Sequence, residues 1–310
     1  LQVIIANSLR LALGFNQSSA MKILLSLIGL FILVSPGVAA PPVPLTIVAA
    51  ENFYGGVAQQ IAGESATVRS ILTNPNQDPH EFTTSAETAK EVADADIVIY
   101  NGVDYDPWMD KLLATKGKPG RVVIKVSDLV GAKSGNNPHI WYNPKTMPAL
   151  GAKLVEVLDK IELTEGADQK RLDDFNASMK AELGKIAELQ TRCAGLSVSA
   201  TEPVFGYMAD ALGFKMLNYD FQVKIMNDAE PTADETAAFE KSLTSKEAKI
   251  LFYNSQVTDP TTARLQSDAK QAGIPVVGVT ETQPPDQPSY NAWMMSELDA
   301  VQRALDSSHQ

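Results

Sequence analysis

Two of the three histidines in this chain stand directly after proline, His80 in "NQDPHEF" and His139 in "NNPHIWYNP". Proline locks its own φ at about −65°, so each imidazole is presented from a stiff corner and loses little freedom on ordering. Two carboxylates complete a chemically sensible set, because Glu202 directly follows "LSVSAT" and Glu281 directly follows "PVVGVT". Neutral imidazole suits zinc, manganese and iron, while carboxylates compensate the charge of the ion. His80, His139, Glu202 and Glu281 are therefore the residue types that a four-ligand site for a divalent transition metal requires. Plainer uses remain open on the residues alone. A histidine is more often a surface or hydrogen-bonded residue than a ligand, Glu202 before Pro203 suits the acidic start of a helix, and Glu281 suits a solvated loop. His309 sits in the tail "DSSHQ" and is set aside.

The elements that must carry these residues alternate short β-rich runs with helical patterns, which predicts parallel α/β architecture. Strands are expected at 45–50, 66–73, 96–102, 121–128, 196–201, 249–254 and 275–280, with helices between them. The fold class is α/β: two similar lobes with mainly parallel sheets, joined by one long linking helix. Ligands of open α/β sheets collect beyond the carboxyl ends of strands. His80 and His139 fall in loops after strands of the first lobe, and Glu202 and Glu281 after strands of the second. Between the lobes, Leu172, Phe175, Met179, Leu183, Ile186 and Leu189 recur at helical spacing. The expected boundaries are 41–163 for the first lobe, 164–192 for the linking helix and 193–310 for the second lobe.

Residues 21–40, "MKILLSLIGLFILVSPGVAA", run from Met-Lys through an apolar core to small residues, the layout of a secretory signal peptide cleaved near Ala39 or Ala40. Residues 1–20 read as an upstream extension. The formal net charge of the chain is −11, and residues 1–40 contribute only Arg10 and Lys22 with no acid. The remainder is more acidic still; it repels nucleic acid and attracts cations. Cys193 is the single cysteine, so no internal disulfide forms, and no cysteine ends the apolar run. The expectation is a periplasmic monomer that is not a lipoprotein.

Five segments, "NPNQDPHEF", "NPHIWYNP", "TEPVFGYMADALGF", "NDAEPT" and "VVGVTETQPP", with "YNAWM" following, resemble in order the metal-binding substrate-binding proteins of ATP-driven (ABC) zinc and manganese importers, the zinc-uptake and manganese-adhesin-like group. The resemblance covers the whole chain after the apolar run. It implies a single divalent ion, zinc or manganese with ferrous iron as a third choice, held at the lobe interface as transported cargo and passed to a membrane permease. By position, His80 and His139 match the first two ligands of the family, Glu202 the third, where zinc-selective members often carry histidine, and Glu281 the fourth, with Asp286 the nearest substitute. A histidine-rich acidic loop between the first two ligands, common in zinc-uptake members, is missing from this sequence. Glutamate at 202 shifts the site toward oxygen ligation and thus toward manganese or iron. The activity expected is capture, not catalysis. A metal-dependent hydrolase is the competing class, against which the chain lacks HExxH, GxSxG and GxxxxGK(S/T); a carrier of a non-metal solute is the other alternative.

Overall fold

A computed structural model of the chain describes residues 44–75, 77, 79, 82–161, 166–257 and 260–307. His80, Thr164, His309 and the expected signal peptide lie outside the described residues. In the first lobe β1 (Leu45–Glu51), α1 (Asn52–Ala62), β2 (Ala66–Leu72), α2 (Ala86–Asp94), β3 (Ile97–Tyr100), α3 (Pro107–Leu113), β4 (Val122–Lys125) and α4 (Val126–Val130) follow one another. Two helices come next, α5 (Thr146–Lys160) and α6 (Ala167–Cys193). The second lobe contains β5 (Ser197–Ala200), α7 (Gly206–Ala211), β6 (Lys215–Leu217), α8 (Tyr219–Met226), α9 (Ala233–Thr244), β7 (Leu251–Asn254), α10 (Pro260–Gln271), β8 (Val276–Val279) and α11 (Tyr290–Ser307).

Each lobe holds a four-stranded sheet in the same spatial order, β2-β1-β3-β4 and β6-β5-β7-β8, and every pairing is parallel. The sequence reason is visible in β3: all four residues of "IVIY" are buried, because helices cover both faces of a parallel sheet and leave no side for polar alternation. Local signals set the helix starts. The Ser85 hydroxyl accepts from the Thr88 amide at 3.0 Å to open α2. Thr232 and Glu235 form a reciprocal capping box at the start of α9, which is what "EPTADE" is for.

The two lobes share one apolar core. Phe53 at the start of α1 stacks near Trp141, with ring centroids 4.7 Å apart, and lies 5.8 Å from Trp293 of α11. Tyr142 packs against Trp293 at 5.6 Å and against Phe205 at 5.4 Å. Main-chain ties reinforce the packing, since the Tyr142 hydroxyl donates to the Thr280 carbonyl and the Tyr290 hydroxyl to the Trp141 carbonyl, each at 2.7 Å. The final helix packs on α6 and on α1, so it joins the lobes a second time.

Helix α6 departs from the expected face at one position. Leu183 is 46% exposed, while Glu182 is fully buried together with Leu172, Phe175, Met179, Ile186 and Leu189. The buried seam alternates steps of three and four residues, and from Met179 the step of three lands on Glu182. Burial alone pushes its carboxyl up to about 8, because no neighbouring cation or hydrogen bond favours the charged form and both oxygens lie buried without a hydrogen-bond partner. An acid whose folded pKa is raised contributes stability that is present at low pH and lost as pH climbs from its unfolded value through the folded one. Relative to the parent, Glu182→Gln should therefore gain about 1.4 kcal/mol for each pH unit between roughly 4.5 and 8, a slope that denaturant titrations at several pH values will show as convergence toward zero only below that window.

Candidate metal site

Three of the four sequence-predicted residues meet in one place. His139 precedes the single-turn helix Ile140–Tyr142 in the loop after α4, Glu202 follows β5, and Glu281 follows β8. All three are buried, at 0%, 8% and 6% exposure, so none is the solvated loop residue that the sequence left open. The distance from His139 Nε2 to Glu281 Oε1 is 3.7 Å. That is long for a hydrogen bond but near the separation of about 3.4 Å between two ligands that hold one ion at about 2.1 Å and a tetrahedral angle. Glu202 caps nothing: no side-chain capping bond forms at the short helix Pro203–Phe205, and its carboxylate turns instead toward the sheet edge.

The two glutamates share one donor. Asn254, the last residue of β7, directs its Nδ2 at Glu281 Oε2 (2.9 Å) and at Glu202 Oε2 (3.5 Å). Gln256 then fixes the loop that carries Glu281, its Oε1 accepting from the amides of Glu281 (2.8 Å) and Thr282 (2.9 Å) while its Nε2 donates to the Thr282 carbonyl (3.1 Å). Tyr105 of the first lobe faces Glu281; burial, and then the charges of Glu281 and Glu51, push its hydroxyl well above the usual range, so it keeps its proton. The Trp141 ring stands edge-on to His139 with centroids 5.2 Å apart, an apolar wall on the imidazole.

A buried acid pair lies behind this cluster. Glu51 ends β1 and is fully buried, as is Asp106 at 1% exposure. Asp106 accepts from the amides of Asn101 (2.7 Å) and Gly102 (2.8 Å), which favours its ionised form; burial nonetheless raises it to about 6. Glu51 is raised further, by burial first and the neighbouring Asp106 charge second. Both shifts run in the same direction, so burial favours the protonated form of the pair.

Two small cavities open on the cluster, both bordered by Glu281 and Val257. One of about 210 Å³ also reaches Glu202 and runs out past Met226, Asp228 and Glu230; the other, about 180 Å³, runs past Pro75, Gln77 and Pro79. Among the described residues no group of three or more His, Cys, Asp or Glu side chains is already arranged to hold an ion, and His80, the fourth predicted ligand, lies outside them. Asp286, the substitute considered for Glu281, is exposed. Sequence reasoning missed Asn254, Gln256 and Tyr105. Asn254 had a usable signal, since it ends the strand "KILFYN" at the sheet edge where ligands collect. Tyr105 had none, because its contact with Glu281 is made across the lobes.

A match to the family described as "Zinc-uptake complex component A periplasmic" covers residues 47–304. The metal ABC transporter substrate-binding lipoprotein SloC of Streptococcus mutans is 25% identical over 311 residues, spanning 93% of this chain and 98% of SloC. The iron ABC transporter substrate-binding lipoprotein MtsA of Streptococcus pyogenes is 25% identical over 290 residues, 84% of this chain and 89% of MtsA. The zinc-binding lipoprotein AdcA of Streptococcus pneumoniae is also 25% identical, but the matched part spans only 53% of its length. In structure, the periplasmic zinc binding protein TroA from Treponema pallidum superposes with a TM-score of 0.71 over 85% of this chain and 99% of TroA at 16% identity. That likeness shows the two-lobed α/β fold. These relatives correct the expectation of a periplasmic protein that is not a lipoprotein, because SloC, MtsA and AdcA are all named lipoproteins. The expectation rested on the missing cysteine after the apolar run, in residues outside those described. Among the described residues no helix is long and apolar enough to cross a membrane.

Removing the shared donor isolates its contribution. Asn254→Leu should destabilise the ion-free protein by about 2 kcal/mol, the usual loss when a buried hydrogen bond to a charged group is deleted, as read from urea unfolding in the presence of chelator.

Proposed function

The chain belongs to the zinc-uptake complex component A family, whose members are substrate-binding proteins of metal importers, and from that premise we propose that His139, Glu202 and Glu281, together with His80, hold the transported ion. One observation carries the assignment: an imidazole from the first lobe and two carboxylates from the second are buried within reach of one another, although nothing in a packed core requires two acids there. Burying two like charges side by side is unfavourable unless a cation joins them. A divalent transition metal supplies that cation and accepts the imidazole lone pair as well.

The chemistry is capture and delivery to an ABC permease, without turnover. The ligands come from both lobes, so an ion bound between them favours the closed arrangement, and release requires the open one to be favoured by a partner. With two nitrogens and two carboxylates the site takes zinc, manganese or ferrous iron, and the general affinity order places zinc above manganese. Asp228 and Glu230 at the mouth of the larger cavity raise the local cation concentration on the way in. The protein acts as a monomer, each chain carrying a complete ligand set.

Calorimetry on chelator-treated protein tests the assignment. One zinc or manganese per chain is expected for the parent, with zinc the tighter. His139→Ala and Glu281→Gln should each lose that stoichiometric binding while circular dichroism stays unchanged. Retention of one tightly bound ion in both variants would refute the ligand set.

A further inference from the structure

Beyond the ligands themselves, and resting on His139 being one of them, we propose that Asn137 is a positioning residue that couples the closed arrangement of the lobes to the ligating state of the His139 ring. Its amide makes three bonds. Oδ1 meets His139 Nδ1 at 2.7 Å and accepts from the His139 backbone amide at 3.1 Å; Nδ2 donates to the Pro203 carbonyl at 2.7 Å. The assignment of oxygen and nitrogen is forced twice, because a backbone N–H can only donate and a carbonyl can only accept. Once Oδ1 faces the ring, Nδ1 must carry the hydrogen. The lone pair then lies on Nε2, the atom that points at Glu281.

The anchor for this amide belongs to the other lobe. Pro203 adjoins Glu202, and the Tyr207 hydroxyl donates to the Asn137 carbonyl at 2.9 Å. Residues 203–207 thus form a seat for a first-lobe side chain. Gly206 shows that the seat is shaped for it. Its backbone is ordinary right-handed helix, φ −54° and ψ −50°, which any residue adopts, so no conformational need explains the glycine. A β-carbon at 206 would lie 2.7 Å from Asn137 Nδ2. The missing side chain makes room for the amide.

The consequence is a mechanical link. With the lobes together, the Pro203 carbonyl holds the amide in one orientation and the ring in one tautomer. When they part, Asn137 loses that acceptor and is oriented only by the His139 backbone amide, so the amide is held less firmly and the Nδ1–H tautomer, which leaves the Nε2 lone pair for the metal, is less strongly favoured. Opening therefore weakens His139 as a ligand without moving it out of the site.

The test uses the whole protein and two readouts. Long-range ¹H–¹⁵N spectra of the ion-free protein report the tautomer, the His139 signals being those lost in His139→Ala among only three histidines. Zinc titration and stopped-flow release to a chelator report affinity and exit. The parent should show Nδ1–H. Asn137→Ala and Gly206→Ala should both shift His139 toward a tautomer mixture and weaken zinc by about 10- to 100-fold. Asn137→Asp keeps the acceptor but not the donor, so the Nδ1–H form should persist while zinc leaves faster. An unchanged tautomer and affinity in Asn137→Ala, or in Gly206→Ala should the first variant not fold, overturns the coupling and leaves the ligand set standing. Parent protein that binds no zinc, or His139→Ala that binds like the parent, overturns the ligand reading itself.

Discussion

Two carboxylates held side by side away from water are the constraint around which the rest of this structure is arranged. Each would cost several kcal/mol if buried without partners, and together they repel. The fold answers with neutral groups in place of a fixed cation: the Asn254 amide donating to both, and Gln256 pinning the backbone on which Glu281 rides. A lysine or arginine in the same position would satisfy the acids permanently. An amide stabilises them only in part and leaves their charge uncompensated.

The same requirement accounts for the joint between the lobes. Trp141, Tyr142, Phe205 and Trp293 make one core across it, and the Tyr142 and Asn137 side chains grip the residues next to Glu281 and Glu202. Both glutamates are thus located by hydrogen bonds from the loop that carries His139. A site whose members are held through one another's neighbours changes all at once when the joint loosens, as a bistable packed interface does and a compliant one does not. The long helix α6 and the final helix α11 both bridge the lobes.

Buried acids are the second theme. Burial raises the carboxyl of Glu51, beside Asp106 behind the cluster, and that of Glu182 in the seam of α6. Each makes the folded state less stable as pH rises through its range.

The alternation of β-rich and helical segments determined the α/β class, the strand positions and the edge on which His139, Glu202 and Glu281 lie, because burial on both faces writes itself into a strand as a continuous apolar run. Residue type and the proline corner singled out His139 and His80 as candidate metal ligands; the structure buries His139 beside Glu281, and His80 lies outside the described residues. Periodicity alone could not choose between Glu182 and Leu183 on α6, since steps of three and four both fit a helix and only the opposing surface decides which one is buried. The seat of Asn137 at Gly206, the amide of Asn254 between two acids and the hydroxyl of Tyr105 facing Glu281 were decided by tertiary structure. Each is a contact between residues tens to hundreds of positions apart, and a linear pattern carries no record of which distant side chain will complete a hydrogen bond.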